Sequence, residues 1–355
     1  MRKTYENCLP SQKSWLQNMP KKVVAFGEVM MRLMAPGYEL LTQANTLQYS
    51  FSGTGVNVVS AMTKFGYDGY LVTKLPSNPL GDAAVASLQR LGIERTFISK
   101  GGNYIGMYFL ENGFGQRSSR VTYTNRLESS FNTADFSDYD LDLIAETADI
   151  IHFCGITLAM TDQVRENMKI LAQKVKEKGG LVCFDCNYRP SLWSGGYVQA
   201  KRHYEDLLSL ADIVMMNEQD AKFILEMETD KTSREAQLKD LIPKVAKMFD
   251  IQTIAGTHRS INGDNTHSLR GYIYKQNTFV FSKPLRFSVL DRIGAGDAFT
   301  SGVLHGELAA FPETKTVEFA ATAGMLACTI VGDTPVATET EILSAMAGTM
   351  EDIKR

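Results

Sequence analysis

Apolar positions along this chain follow two rhythms in turn. Short β-rich runs at Val23–Gly27, Tyr70–Leu75, Ile150–Gly155, Leu181–Asp185, Asp212–Asn217 and Ile251–Gly256 predict strands. Between them, stretches such as VRENMKILAQKVKEKG and SREAQLKDLIPKVAKMF carry helical spacing. This alternation predicts an α/β protein, a mostly parallel sheet with helices on both faces. Repeated β–α units of that kind place a binding site at the carboxyl ends of the strands.

Two regions break the alternation. Residues 37–51 and 104–126 read as β-hairpin material, the second with a turn-prone centre, ENGFGQR, between IGMYFL and RVTYT. A β-flap on an α/β body is open to three readings: a lid, a decoration or a contact between copies. A further hairpin is predicted in SLRGYIYKQNTFVFS. With no internal repeat and no low-complexity linker, the expectation is one domain over 21–347 carrying a small β-lid, preceded by an extension over 1–20.

Composition narrows the partners. Among 355 residues the net charge is −3, so no basic surface advertises nucleic acid or an anionic membrane. The longest uncharged apolar run, about 319–332, falls short of the roughly 18 residues a membrane span needs. The first residues, MRKTYENCLPSQKSWLQNMPKK, contain no apolar core of a secretory signal. Cysteines stand at Cys8, Cys154, Cys183, Cys186 and Cys328. Cys183 and Cys186 form a C-x-x-C, but in a strand residues three apart point to opposite faces, and no second pair completes a zinc site. An odd count without a framework suits a reducing cytoplasm.

The stretch with the most chemistry is DRIGAGDAFTSG, Asp291–Gly302. FSVL before it (287–290) predicts a strand, and AFTSGVLHGEL after it (298–308) predicts a helix. Gly294 and Gly296 permit a tight turn, and a helix N-terminus offers unpaired N–H groups to an anion. Asp297 beside that turn reads equally as a helix cap or as a catalytic carboxylate. Other nucleotide sites are missing: there is no G-x-x-x-x-G-K-[ST], and AFGEVMMRL follows its one glycine with Glu28, unlike a dinucleotide fingerprint. There is no G-x-S-x-G elbow. His152 and His305 sit in element-like runs that suit packing or surface roles. What remains, an anion hole beside a carboxylate, suits phosphoryl transfer to a hydroxyl, with magnesium supplying charge neutralisation.

The residues also carry a resemblance. D-x-x-G-A-G-D-x-F at Asp291–Phe299 resembles the second signature of the PfkB, or ribokinase-like, carbohydrate kinases. Ser52, Gly53 and Asn57 are similar to the first signature, with serine where the family usually has glycine. NEQD at Asn217–Asp220 resembles the family's magnesium-organising N-x-x-E, with the shorter aspartate last. DCNYRPSLW, YTNR and CGITLAM look most like the 2-keto-3-deoxygluconate kinases of that family, although fructokinases carry a run comparable to the first.

The resemblance implies a three-layer αβα fold with a β-lid, and ATP-dependent phosphorylation of a primary hydroxyl on a small sugar acid. Its alternatives are a neutral-sugar kinase such as a fructokinase, or a sugar-binding regulator without catalysis. It implies Asp297 as base, backbone amides of Gly294, Ala295 and Gly296 as anion hole, and Gly53, Asn57, Tyr108, Tyr123, Arg126 and Arg189 around the sugar. Asn187, Asn217, Gly256 and Thr257 would meet the nucleotide, and Asp220 would reach Mg2+ through water. A monovalent cation, and association of copies through the lid, belong to the same expectation. A planar guanidinium gripping a carboxylate with two charged hydrogen bonds is an independent reason to want arginines at a sugar-acid site.

Overall fold

The computed structural model describes residues 20–348; Cys8 and, apart from Pro20, the expected extension lie outside the described residues. The elements are β1 (Lys22–Phe26), β2 (Met30–Met34), β3 (Gln48–Ser52), α1 (Thr54–Lys64), β4 (Asp68–Leu75), α2 (Pro79–Arg90), β5 (Ile93–Glu94), β6 (Ile98–Lys100), β7 (Gly106–Glu111) and β8 (Arg120–Thr124). Then come α3 (Leu141–Thr147), β9 (Ile150–Cys154), α4 (Gly155–Leu158), α5 (Asp162–Glu177), β10 (Leu181–Asp185), α6 (Gly196–Leu208), β11 (Ile213–Met215), α7 (Glu218–Phe223) and α8 (Arg234–Phe249). The chain closes with β12 (Thr253–Ile261), β13 (His267–Lys275), β14 (Thr278–Phe281), β15 (Leu285–Phe287), α9 (Ala295–Leu308), α10 (Glu313–Ala327) and α11 (Glu339–Met346).

The large sheet runs β14-β13-β12-β11-β10-β9-β1-β4-β5, with β15 on β13 and β6 on β4. From β12 to β5 every pairing is parallel, and β13 reverses the direction. Strands such as β9 (IIHFC) are buried along their whole length because helices cover both faces. Phe153, Phe184 and Leu171 pack in one layer and Met62, Phe299 and Phe319 in the other. Cys183 and Cys186 fall in these opposite layers, and the described cysteines are free.

A separate four-stranded sheet runs β3-β2-β7-β8, antiparallel in its outer pairs and parallel at β2–β7. Here two expectations need correction. The partner of β3 is Met30–Met34, upstream of the hairpin expected over 37–51, because the turn-rich residues between them form the connection instead. The strand expected at 287–290 ends at Phe287; the Leu290 amide turns away to the Cys328 carbonyl.

Candidate active site

A cleft of about 800 Å³ opens where the carboxyl ends of the parallel strands face the small sheet. Each site residue expected from the sequence lines it.

One wall belongs to the body. Gly294 is the N-cap of α9 in a left-handed conformation (φ 86°), and a Cβ there would lie 1.8 Å from the Asp333 carbonyl, so only glycine fits. The Gly294 carbonyl takes the Ala298 amide, the first bond of the helix. The amides of Ala295 and Gly296 precede it and have no acceptor within the helix. Asp297 is not the cap. Its buried carboxyl accepts from Asn57 Nδ2 at 2.7 Å. Burial pushes its proton affinity well above the ordinary carboxylate range, the charges of Asp185 and Asp333 add to this, and the Asn57 bond and the Arg189 charge oppose it. Asn57 likewise lies inside α1 rather than at its cap, which is Gly53, and its Oδ1 is buried without a partner. Gly53 is pressed on Glu28: a Cβ would stand 2.3 Å from the Glu28 carbonyl.

Further along the strand ends, Asn187, Asn217, Gly256 and Thr257 line the cleft beside two more carboxyls. Burial raises Asp185 to about 6 and Asp220 to about 7, with Arg189 lowering both. Asn217 and Asp220 also form a capping box for α7, Asp220 Oδ2 accepting the Asn217 amide at 2.8 Å. Among the described residues no three His, Cys, Asp or Glu side chains converge on one point to cage a metal. Two recessed acids with raised proton affinity instead suit a hydrated divalent cation, which would hold them ionised.

The other wall is the small sheet. Tyr108 and Tyr123 face each other across β7 and β8, rings 6.1 Å apart. The Tyr108 hydroxyl donates to Asp333 Oδ2 at 3.0 Å and meets Ser52 Oγ at 3.1 Å. Arg126 is buried, its Nε on Glu28 Oε2 at 2.7 Å and its Cζ 5.0 Å from the Tyr123 ring centre. Ser129 and Asn132 fix the other oxygen of Glu28. Arg126 Nη1 is buried with no partner, a donor held in waiting. Arg189 lines the cleft from an exposed position before the Pro190–Leu192 turn.

Glu28, Asp185 and Asp333 escaped selection from sequence. The first two had a visible signal, since each closes or follows a parallel strand at its carboxyl end. Asp333 lies in an irregular loop with none. These two histidines do pack: His152 is enclosed in β9 and held near 4 by burial, and His305 lies tilted or edge-on among Phe65, Phe311 and Phe319.

The pfkB family carbohydrate kinase model matches residues 20–340, and the chain belongs to that family of phosphotransferases, with the ribokinase-like architecture. A 2-dehydro-3-deoxygluconokinase crystal structure from Thermotoga maritima superposes with a TM-score of 0.88 at 33% identity, covering 93% of this chain and 99% of that one. A proposed 2-keto-3-deoxygluconate kinase from Enterococcus faecalis gives 0.90 at 38%, covering 94% and 99%. The 2-dehydro-3-deoxygalactonokinase of Haloferax volcanii is 29% identical over 330 residues, 93% of this chain and 98% of its own.

Proposed function

We propose that this kinase phosphorylates the primary hydroxyl of a 2-keto-3-deoxy sugar acid, the gluconate or the galactonate epimer, from ATP and Mg2+. The observation that carries the reading is the pairing of two features across one cleft. Asp297 sits beside open helix amides on one side, and Arg126 presents a buried, unpaired N–H on the other. A neutral sugar gives that donor no charge to meet; a carboxylate does. The names of the relatives point the same way.

In this reading Asp297, ionised, receives the hydroxyl proton as the oxygen–phosphorus bond forms and ADP leaves. Its raised proton affinity makes it a stronger base than a free aspartate, and the Asn57 donor keeps it oriented. The amides of Gly294, Ala295 and Gly296 meet the developing phosphoryl charge. Asn187, Asn217, Gly256 and Thr257 hold the nucleotide, and Gly53, Tyr108 and Tyr123 shape the sugar pocket with Arg126 and Arg189. Mg2+, held through water near Asp220 and Asp185, would neutralise phosphate charge.

The domain is taken as 21–347, with the small sheet as a lid that also joins two copies; β8 is exposed along nearly its whole length, which leaves a face for such a contact. Among the described residues no helix is long and apolar enough to cross a membrane. The free, buried thiols suit a cytoplasmic setting.

Coupled ADP release on both epimeric acids, fructose and ribose tests the function; a preference for a neutral sugar overturns it. Hydrogen exchange with and without acid plus a non-hydrolysable nucleotide tests the lid. Unchanged protection over 104–126 leaves that sheet as a subunit contact only.

A further inference from the structure

Strand β2 reads MMRLM, an apolar run with a charge at its centre. Arg32 is 2% exposed, yet it belongs to neither the sugar pocket nor the nucleotide end. Its side chain leaves the small sheet and enters the body. Nη2 lies 2.8 Å from Asp291 Oδ2, and Nη1 lies 3.1 Å from Asp333 Oδ1. The carboxyls of Asp291 and Asp333 are buried as well.

Both acids hold the anion-binding turn. Asp291 opens it, and its Oδ1 accepts the Ile293 amide at 3.1 Å. Its other oxygen also lies 3.4 Å from the Gly332 amide. Asp333 carries the carbonyl against which Gly294 is packed so closely that no side chain fits. On the small sheet, Arg32 is in register with Tyr108, and Tyr108 donates its hydroxyl to the same Asp333. Two neighbouring groups of the sugar-covering sheet therefore grip the segment that shapes the phosphoryl-binding turn.

Stability alone is a poor reason for such an arrangement. A buried Arg–carboxylate set is often no more stabilising than apolar residues of the same volume, while it fixes geometry closely. Two negative charges beside a site for phosphates also oppose the reaction unless a cation balances them. Asp333 is one of the charges that raise the proton affinity of Asp297.

We propose that Arg32 is a positioning residue that couples the small sheet to the Gly294–Gly296 turn and supplies the resident positive charge between Asp291 and Asp333. The inference rests on the kinase reading above for its catalytic consequence. Seating of the sugar against Tyr108 is transmitted through Asp333 to the amides that receive the phosphoryl group. Removing the cation leaves Asp291 and Asp333 without their shared counter-charge, and Asp333 acts on Asp297. Asp297, whose proton affinity the Asp333 charge already raises, then holds its proton more tightly, with Asp185 acting in the same sense and Arg189 and the Asn57 donor opposing.

The test uses the full chain with Arg32→Lys and Arg32→Ala. Lysine keeps the charge and loses the fork, so kcat should fall at least about tenfold with little change in the acid limb of kcat/KM against pH. In Arg32→Ala the acid limb should move up by more than ~0.5 pH unit, as expected when opposite charge is withdrawn from a carboxyl. Guanidinium chloride should restore part of kcat and return the limb, while sodium chloride at the same ionic strength should not. Amide exchange at residues 291–297, measured without substrate, should quicken in both variants. If the alanine variant does not fold, the lysine variant decides alone, through kcat and exchange. Wild-type kcat in Arg32→Lys overturns the proposal. A loss of kcat with unaltered exchange at the turn does so too, since Arg32 would then act without any coupling to the turn. A wild type inactive on every sugar sinks the kinase reading instead, and the exchange measurement still judges the coupling.

Discussion

The two walls of the cleft are built to different rules. On the body wall, Asp297 is 6% exposed and its turn is set by a glycine that admits no side chain. On the small-sheet wall, Tyr123 is 41% exposed and Arg126 is steadied by one carboxylate, Glu28. The first arrangement stores cost in the folded state, as a recessed carboxyl short of cations. The second leaves donors and rings ready for an outside partner. On the kinase reading proposed above, the difference would put the chemistry on the closed wall and the choice of sugar on the more open one.

The strongest blow to that division is Asp297→Asn. It should lower kcat by about 10²–10⁴, the range for losing an acid–base group, with ATP binding kept. The wild-type acid limb of kcat/KM should stand above the ordinary aspartate value of about 3.9. Stability should move the other way. The folded-state proton affinity is raised, so the folded protein keeps the proton that the unfolded chain releases as pH climbs past 3.9, and stability falls over that window. The isosteric amide removes this loss, so the variant should melt higher than wild type at pH 7. Near-normal turnover, or a lower melting temperature with the fold intact, would break the comparison.

Legibility from sequence divides along the same line. The body wall was readable because helix starts, glycine turns and strand ends are local patterns: DRIGAGD located the turn, and the parallel strands placed it. Whether Asp297 capped α9 or faced the cleft was not local, since Asn57, 240 residues away, decides it. The small sheet was half readable. IGMYFL and RVTYT paired as expected, but β2 was missed because its partners β3 and β7 are set by tertiary packing, and strand preference is weak against such context. Arg32 stands in the apolar run MMRLM, but nothing nearby in the chain names Asp291 and Asp333 as its partners.

A smaller effect, and a sharper one for selection, is expected from Arg126→Lys. Each charge-assisted hydrogen bond is worth roughly 1.5–3 kcal/mol, and lysine lacks the fork. The kcat/KM for the sugar acid should fall at least about tenfold, while that for fructose, which leaves no carboxylate unpaired, should change much less. Equal losses on both sugars would mean that Arg126 and Glu28 only hold the wall together.

The smallest effect should come from Tyr123→Leu. The ring lies under the Arg126 guanidinium at 5.0 Å, and its exposure puts the contact at the weak end of cation–π pairs, about 0.5–1 kcal/mol. That corresponds to about a two- to fivefold rise in KM for the acid. Leucine keeps an apolar face on the strand, and Glu28 still holds Arg126 Nε, so kcat should be unchanged. Steady-state kinetics on the acid decides the matter. A fall in kcat of a hundredfold would place chemistry on the small sheet and dissolve the distinction between the walls. A rise in KM alone would confine Tyr123 to holding the sugar.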